Sequence, residues 1–193
     1  HEPVLLETGG GVLSALPLLG EAPFFVANSD ALWLNGPIPA LARLARAWNG
    51  AAMDALLLVS IIPGTLGYDG RGDFFMDPAG RLRRRAERDV APFLFTGVQI
   101  LHPRLFQGEA PGTFSLNRVY DKALAAGRLY GLRHDGAWYH VGDYPATCTV
   151  IKAVELVLVH CSKADAARHF HLSVFGHQGS AMTNGELAYV QKV

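Results

Sequence analysis

The stretch PFFVANSDALW, residues 23–33, combines an apolar run with an abrupt polar stop. Residues 23–27 have the composition of a buried β-strand, and Asn28, Ser29 and Asp30 then interrupt the run. In open α/β sheets, ligands bind beyond the carboxyl ends of the strands, where loops carry polar groups out of the core. Asp30 is therefore a candidate Mg²⁺ ligand, and the alternative is that one of these three residues caps a turn or a helix.

Other segments extend this pattern along the chain. Residues 53–60 and 92–101 have the apolar composition of buried strands, whereas residues 37–48 and 117–127 place apolar side chains at helical spacing. Alternating strands and helices with nearly continuous apolar strands are typical of α/β proteins with a largely parallel sheet. The sequence therefore predicts an α/β fold.

Glycine-rich and turn-forming stretches separate these segments. Glycines 9–11 are predicted to form a turn between a strand at residues 3–6 and a short helix. Their backbone N–H groups are open to a nucleobase or phosphate, although a turn without a ligand fits equally well. Residues 67–85 predict a β-hairpin around the turn DPAG, and residues 128–142 predict two strands joined as a hairpin through HDG.

Composition limits the classes of partner. The 193 residues carry 17 Lys plus Arg and 17 Asp plus Glu, so no net field attracts nucleic acid or an anionic membrane. No stretch approaches the roughly 20 apolar residues of a membrane span. Cys148 and Cys161 have no metal-ligand spacing, and they do not imply a disulfide framework. A reducing cytoplasm fits this pattern best. Composition predicts nothing about the oligomeric state.

Two further clusters carry weaker signals. The arginines of residues 81–88 either grip a phosphate or form a solvated strand face, and the second is the more common use of such a run. His169 and His171 would share one face of an extended segment, but they lack a recognised metal-ligand spacing. No serine has the surroundings of a hydrolase nucleophile.

The motifs taken in order resemble a known family. LLETGGGVLSALPLLG, FFVANSDALWL, MDALLLV, GYDGRGDFFMDPAGRLRRR, PFLFTGVQILHPRLF and FSLNRVYDKALAAGRLYGLRHDGAWYHVG are similar, in order and spacing, to the sugar-nucleotide nucleotidyltransferases. The N-acetylmuramate 1-phosphate uridylyltransferase-like branch matches them best. The resemblance runs from residue 1 to residue 142, and residues 143–193 form a divergent C-terminal segment of unknown role.

This resemblance implies a fold and a reaction. The expected fold is a Rossmann-like nucleotidyltransferase domain with a mostly parallel mixed sheet. The expected reaction joins a nucleoside triphosphate, UTP in this branch, to a sugar 1-phosphate, here N-acetylmuramate 1-phosphate, and releases pyrophosphate. Mg²⁺ is the implied cofactor, and peptidoglycan recycling in the cytoplasm is the implied setting.

The resemblance also assigns roles to residues. Asp30 matches the catalytic, Mg²⁺-binding aspartate, and His140 takes the second metal-proximal, catalytic position, with Asp143 as a possible further metal ligand. The segment expected to contact the nucleotide contains Glu7, Thr8, Gly9 and Gly10, and Asp30 is expected to bind the nucleotide with them. The segments expected to line the sugar side contain Gly72, Asp73, Thr96 and Gly97.

One family feature is not found in the sequence. The GxGxRxxP-type loop and the PKP lysine that cradle the triphosphate do not occur, so we expect the fold to lack its usual first βα unit. We therefore expect weak or no turnover from this chain alone. A catalytically inactive relative that binds nucleotide or sugar phosphate, and a non-functional fragment, are the alternatives. Residues 149–159 could fill the place of the missing strand.

Overall fold

The computed structural model describes residues 6–28, 31–66 and 68–140. These residues form three α-helices and nine β-strands with short 3-10 turns at Ile62–Gly64 and Pro103–Phe106. In chain order the elements are α1 (Glu7–Leu19), β1 (Phe24–Ala27), β2 (Ala31–Trp33), α2 (Ala40–Ala47), β3 (Ala55–Ile61), β4 (Thr65–Leu66), β5 (Phe74–Met76), β6 (Leu82–Arg84), β7 (Phe93–Leu101), α3 (Asn117–Ala125), β8 (Leu129–Arg133) and β9 (Trp138–His140).

The larger sheet has the strand order β6-β5-β7-β3-β8, and β1 pairs with β7 on the edge opposite β3. The predicted α/β class is confirmed. The share of parallel pairing is smaller than predicted, because β3 and β8 are the parallel pair among the described strands of this sheet and the others are antiparallel. β7 runs between β1 and β3 in the opposite direction, so these two parallel strands never pair with each other. The apolar composition of a strand does not show whether the strand is parallel or antiparallel to its neighbours.

Two apolar layers sandwich the larger sheet. Along β3, Leu57 and Val59 point into the layer shared with α1 and α3, while Leu56 and Leu58 point into the layer shared with α2. All four side chains are at most 1 % exposed. Because complete burial of such a side chain contributes about 1.5–3 kcal/mol, β3 is a principal source of stability.

The smaller sheet has the order β2-β9-β4, and β9 is antiparallel to β2 and parallel to β4. The two strands predicted within residues 128–142 therefore exist, but the prediction that they form a hairpin is wrong. The chain leaves β8 at His134, whose N–H donates to Val59 O at 2.7 Å, and then joins β2, where Leu34 N–H donates to Ala137 O at 2.9 Å. A Cβ at Gly136 would collide with Leu34 O, so the glycine serves this close approach.

The hairpin predicted around DPAG is confirmed. β5 and β6 pair antiparallel, and Arg81 N–H donates to Asp77 Oδ1 at 2.8 Å across the turn. The tip of the hairpin returns to β8, where Gly131 N–H donates to Gly80 O at 2.8 Å. The hairpin of β5 and β6, at one end of the strand order, therefore contacts β8 at the other end.

The glycines at residues 9–11 lie inside α1, so the turn predicted there is wrong. Cβ atoms at Gly9 and Gly10 would collide with Phe114 and with Gly112 O, respectively. Close packing of the helix against the loop at residues 112–116, rather than turn formation, explains why glycine fits at residues 9 and 10. The strand predicted just before α1 falls mostly outside the described residues.

Several predictions concern parts of the chain that lie outside the described residues. These are the boundary between residues 142 and 143, the C-terminal segment, and the strand replacement by residues 149–159. Within the described ranges, no helix combines the length and apolarity needed to cross a membrane.

Candidate active site

One edge of β7 is shared by two strands that leave a gap between them. β1 runs along this edge as far as Ala27, which pairs with Val98, and Asn28 N–H then donates to Gly97 O at 2.8 Å. β5 pairs with the same edge of β7 further along, where Phe74 lies opposite Phe93. Gly97 and Phe93 are four residues apart, or about 13 Å along a strand. The carboxyl end of β1 therefore opens into a gap in the sheet edge, the kind of place where α/β proteins bind ligands.

The carboxylate of Asp73 lines the far side of this gap. Asp73 N–H donates to Phe93 O at 2.7 Å, and Asp73 Oδ2 accepts the Phe95 N–H at 2.8 Å. A side chain thus satisfies a main-chain donor that faces the gap. Gly72 precedes it with φ of +71°, and a Cβ there would collide with Ala91 O, so only glycine fits.

Tyr68 stabilises the same loop. Gly72 N–H donates to the Tyr68 hydroxyl oxygen at 3.0 Å. Burial, and then the nearby charge of Asp73, raise the pKa of Tyr68 above its ordinary value of 10.0. The phenol is therefore neutral at physiological pH, and its O–H remains a donor.

A bulge in β7 forms the near side of the gap. The register between β3 and β7 changes from Leu57 opposite Gln99 to Val59 opposite Phe95. Leu58 therefore faces the three residues 96–98, and Thr96 Oγ1 donates to Leu58 O at 2.8 Å. The bulge explains why a buried, apolar strand contains a threonine and a glycine at this point.

Gly97 lets Asn28 and Ala31 lie directly on the bulge. Its φ is +85°, a conformation that favours glycine. A Cβ at Gly97 would lie 3.0 Å from Asn28 Cβ and 3.1 Å from Ala31 Cβ. Ser29 and Asp30 lie outside the described residues, whereas Asn28 and Ala31, on either side of them, both lie close to the bulge.

The smaller sheet brings the backbone of His140 to Ala31. Ala31 pairs with His140 across β2 and β9, and Trp138 Nε1–H donates to Thr96 O at 2.9 Å. Opposed residues in antiparallel strands have Cα atoms about 4.5–5.5 Å apart. The chain positions predicted to carry the catalytic Asp30 and His140 are thus neighbours: residue 30 adjoins Ala31, and Ala31 faces His140.

The predicted nucleotide-binding residues lie at the start of α1 and contact the loop at residues 112–116. The N–H groups of Gly9 and Gly10 donate to Phe114 O at 2.8 and 3.1 Å, and Thr8 Oγ1 accepts the Leu116 N–H at 3.1 Å. Glu7 is exposed with φ of +57°, an uncommon conformation for a residue with a side chain. The contacts of Thr8, Gly9 and Gly10 hold α1 in place, so their role toward a nucleotide stays a prediction.

The arginine run mostly stabilises the hairpin. Arg84 pairs with Asp121 at 2.9 Å, and Arg85 Nε–H donates to Gly72 O at 2.7 Å. Arg83 lies across from Phe75, with its guanidinium carbon 4.4 Å from the ring centre. Arg85 thus supports the loop beside the gap, a role that the charge pattern did not reveal.

The predicted metal ligands Asp30 and Asp143 are not among the described residues. Within the described part of the chain, no group of three or more His, Cys, Asp or Glu side chains could hold a metal ion. Asp30 and Asp143 both lie outside that part, so their binding of Mg²⁺ stays a prediction.

Sequence reasoning missed three residues of this arrangement. Asn28 was predicted only as a possible capping residue, and Trp138 was visible only as a member of a longer motif. The hydrogen bonds they form depend on a bulge that an apolar run does not reveal. Tyr68 had no distinguishing signal in its glycine-rich surroundings.

Comparison with known proteins gives two kinds of similarity. A stretch of 138 residues is 38% identical to the N-acetylmuramate alpha-1-phosphate uridylyltransferase of Caulobacter vibrioides, covering 72% of this chain and 57% of that protein. A protein of the same name from Neisseria meningitidis serogroup B is 33% identical over 138 residues, covering 71% of this chain and 57% of that protein. The chain thus spans a little over half the length of these curated relatives. No family model matches the chain.

Solved structures share the fold at low sequence identity. HddC from Yersinia pseudotuberculosis complexed with GMP-PN superposes with a TM-score of 0.61 at 14% identity, covering 79% of this chain and 64% of that chain. UDP-glucose pyrophosphorylase complexed with UDP-glucose gives a TM-score of 0.62 at 14% identity, covering 80% of this chain and 64% of that chain. At such identities the likeness establishes the fold alone.

Proposed function

We propose that this chain, which belongs to the N-acetylmuramate 1-phosphate uridylyltransferase-like branch of the sugar-nucleotide nucleotidyltransferases, binds a nucleoside triphosphate and a sugar 1-phosphate at the gap beside β7. The proposed substrates are UTP and N-acetylmuramate 1-phosphate, the second suggested by the names of the relatives that the chain matches. A phosphate oxygen of the sugar phosphate attacks the α-phosphorus of UTP. The bond from that phosphorus to the bridging oxygen breaks, and pyrophosphate leaves with the bonding electrons.

The gap in the β7 edge is the observation that supports this proposal. It lies beyond the carboxyl end of β1 and is lined by Asp73, whose carboxylate accepts the Phe95 N–H. Asn28 and Ala31 lie on the other side, against Gly97. Such a gap offers a carboxylate to a polar ligand, while the apolar layers on either side of the sheet keep the surroundings rigid.

The chain's own residues mainly orient two anionic substrates. We propose that the Asp73 side of the gap, with the Gly72 backbone, contacts the sugar, because a half-buried carboxylate is a good acceptor for sugar hydroxyl groups. We propose that Thr96 and Gly97 form the floor. Holding the attacking oxygen in line with the α-phosphorus replaces a bimolecular encounter with a positioned reaction, the main contribution that such a site makes.

Mg²⁺ belongs to the same proposal. Asp30 is the residue that we expect to hold it, with Asp143 as a possible further ligand and His140 beside them. When bound, the ion would neutralise phosphate charge that otherwise repels the nucleophile. A cytoplasmic setting and a role in peptidoglycan recycling are also parts of the proposal.

Turnover by the purified chain tests this function. UTP, N-acetylmuramate 1-phosphate and Mg²⁺ are supplied together, and pyrophosphate and the sugar nucleotide are quantified. We expect both products to form only when both substrates are present, at a low rate. An Asp30→Asn variant should lower the rate by about 100-fold or more, since it removes a charge that acts on the reacting phosphates. Glu21→Gln, an exposed change in the loop between α1 and β1, is the control and should leave the rate unchanged.

Ligand-dependent stabilisation distinguishes a catalytically inactive binding protein from a chain that binds neither substrate. A nucleotide or sugar phosphate that binds the native state raises the unfolding temperature by mass action. Stabilisation without any turnover would favour the catalytically inactive binding relative. A chain that neither turns over nor is stabilised by either substrate would contradict the proposed function.

A further inference from the structure

Trp138 joins the two sheets at the point where the predicted catalytic positions meet. It occupies β9, the middle strand of the smaller sheet, where it pairs with Trp33 on one side and with Thr65 on the other. The side chain is buried, with the residue 4 % exposed. Its indole N–H crosses to the larger sheet and donates to Thr96 O at 2.9 Å.

The bulge in β7 supplies the acceptor for this bond. Residues 96–98 have no one-to-one partners on β3, and the carbonyls of Thr96 and Gly97 are taken by groups from outside the β3–β7 ladder. Thr96 itself is fully buried, so an unpaired carbonyl there would cost about 1–3 kcal/mol. The indole N–H therefore satisfies a group that the fold could not leave unpaired.

Two consecutive carbonyls of β7 hold both halves of the site. Gly97 O accepts the N–H of Asn28, which fixes the end of β1 just before residue 30. Thr96 O accepts the Trp138 indole, which fixes β9 two residues before His140. The end of β1 and the strand that carries His140 are thus both hydrogen-bonded to the same short segment of the β7 backbone.

We infer that Trp138 is a positioning residue, which through its bond to Thr96 O holds the backbone of His140 in place relative to the end of β1 at Asn28. Its consequence for catalysis rests on the proposed function. If the bond is lost, the smaller sheet keeps its own ladder but loses its polar link to the bulge. A misplacement of about 1 Å at such a site can lower a rate about 100-fold.

Trp138→Phe tests the inference because it keeps an aromatic ring and removes the N–H. Ile100→Val is the matched control. Ile100 is fully buried in the same apolar layer, and this change costs about 0.5–1.5 kcal/mol without touching the bulge. Both variants therefore lose stability, but only the first one removes the link between the sheets.

The first measurement uses the ligand-free protein and does not depend on its activity. In ¹H–¹⁵N NMR spectra we expect Trp138→Phe to move the amide signals of Asn28, Ala31 and His140, whereas Ile100→Val leaves these three near their original positions. Unchanged signals in Trp138→Phe would overturn the inference, whatever the activity of the chain.

The second measurement is the kcat and KM of both variants. We expect Trp138→Phe to lower kcat by about 10-fold or more with a smaller change in the KM for UTP, because the ligand-contacting groups remain. Ile100→Val should retain the kcat of the unmodified chain. Equal kcat losses in the two variants would mean that stability alone matters, and would overturn the positioning role. If the unmodified chain has no turnover, the proposed function fails, and the amide shifts still decide the inference.

Discussion

Single residues of the site have roles that depend on their backbone. Thr96 and Gly97 were predicted at the sugar side from the order of motifs alone. The structure adds a physical reason for these residue types, since the bulge needs a hydroxyl for Leu58 O and a residue that tolerates φ of +85°. The apolar run at residues 92–101 predicted the strand but gave no sign of the bulge, because a bulge depends on the register with a partner strand.

Gly97→Ala should destabilise the protein by about 1–3 kcal/mol, since alanine is strained at positive φ and its Cβ would press on Asn28 and Ala31. Gly127→Ala is the matched control: its φ is +65°, and a Cβ there would have no neighbour within 4 Å. Chemical denaturation should therefore give a larger loss for Gly97→Ala. Equal losses would mean that the backbone conformation alone matters and that Asn28 and Ala31 leave room for a Cβ at residue 97.

Asp54 lies just before β3, at the end of the larger sheet opposite the gap, and it links its own segment to those of Arg104 and Arg128. Its carboxylate pairs with Arg104 and, at 2.9 Å, with Arg128, and the side chain is 14 % exposed. Burial opposes ionisation, but the two arginines outweigh it and hold the pKa of Asp54 below its ordinary value of 3.8. Because the folded-state pKa is lowered, this contribution to stability is complete above the unfolded-state pKa and is lost as the pH falls through the folded-state pKa.

Asp54→Asn should lower the free energy of unfolding at pH 7 by about 1.5–3 kcal/mol, since hydrogen bonds to a charged group are lost. The loss should shrink as the pH falls below the ordinary value of 3.8, because the carboxylate of the unfolded chain is protonated there while the native carboxylate stays charged to lower pH. Asp121→Asn is the control, because the pair of Asp121 with Arg84 is exposed and such pairs contribute at most about 1 kcal/mol. Equal losses at pH 7 would contradict the structural role of Asp54.

Elements were predicted well where local pattern decides them. The predicted strands at residues 53–60 and 92–101 match Ala55–Ile61 and Phe93–Leu101, and the predicted helices at 37–48 and 117–127 contain Ala40–Ala47 and Asn117–Ala125. The prediction for α1 was wrong about its start, because three glycines in a row are typical of turns. Tertiary packing against the loop at residues 112–116 outweighs that propensity, a contact that no local pattern reveals.

Gly10→Ala tests whether packing explains the glycines of α1. Alanine favours a helix by up to about 1 kcal/mol, but its Cβ would collide with Gly112 O, a backbone atom that cannot rotate away. We expect the collision to dominate, so that Gly10→Ala is destabilising in thermal unfolding. Ser14→Ala at an exposed position of the same helix should be neutral or slightly stabilising. A stabilising effect of Gly10→Ala would contradict the packing of α1 on this loop.

The whole molecule is organised by pairings between distant segments. Chain order predicted an α/β fold and the family, but not that β9 leaves β8 to join β2, because strand partners are chosen by the complete set of contacts. That choice brings His140 opposite Ala31, and the break between β1 and β5 along β7 opens beside them. The proposed site therefore depends on the assembled sheets rather than on any one motif.

A titration with UTP and Mg²⁺, followed by ¹H–¹⁵N NMR, compares the two ends of the larger sheet. We expect the amide signals of Asn28, Ala31 and Gly97 to move, while those of Asp54 and Leu129 at the opposite end stay in place. Asp30→Asn should abolish or strongly weaken these shifts. Signals that do not move, or that move only at the Asp54 end, would show that the gap beside β7 is not the nucleotide site.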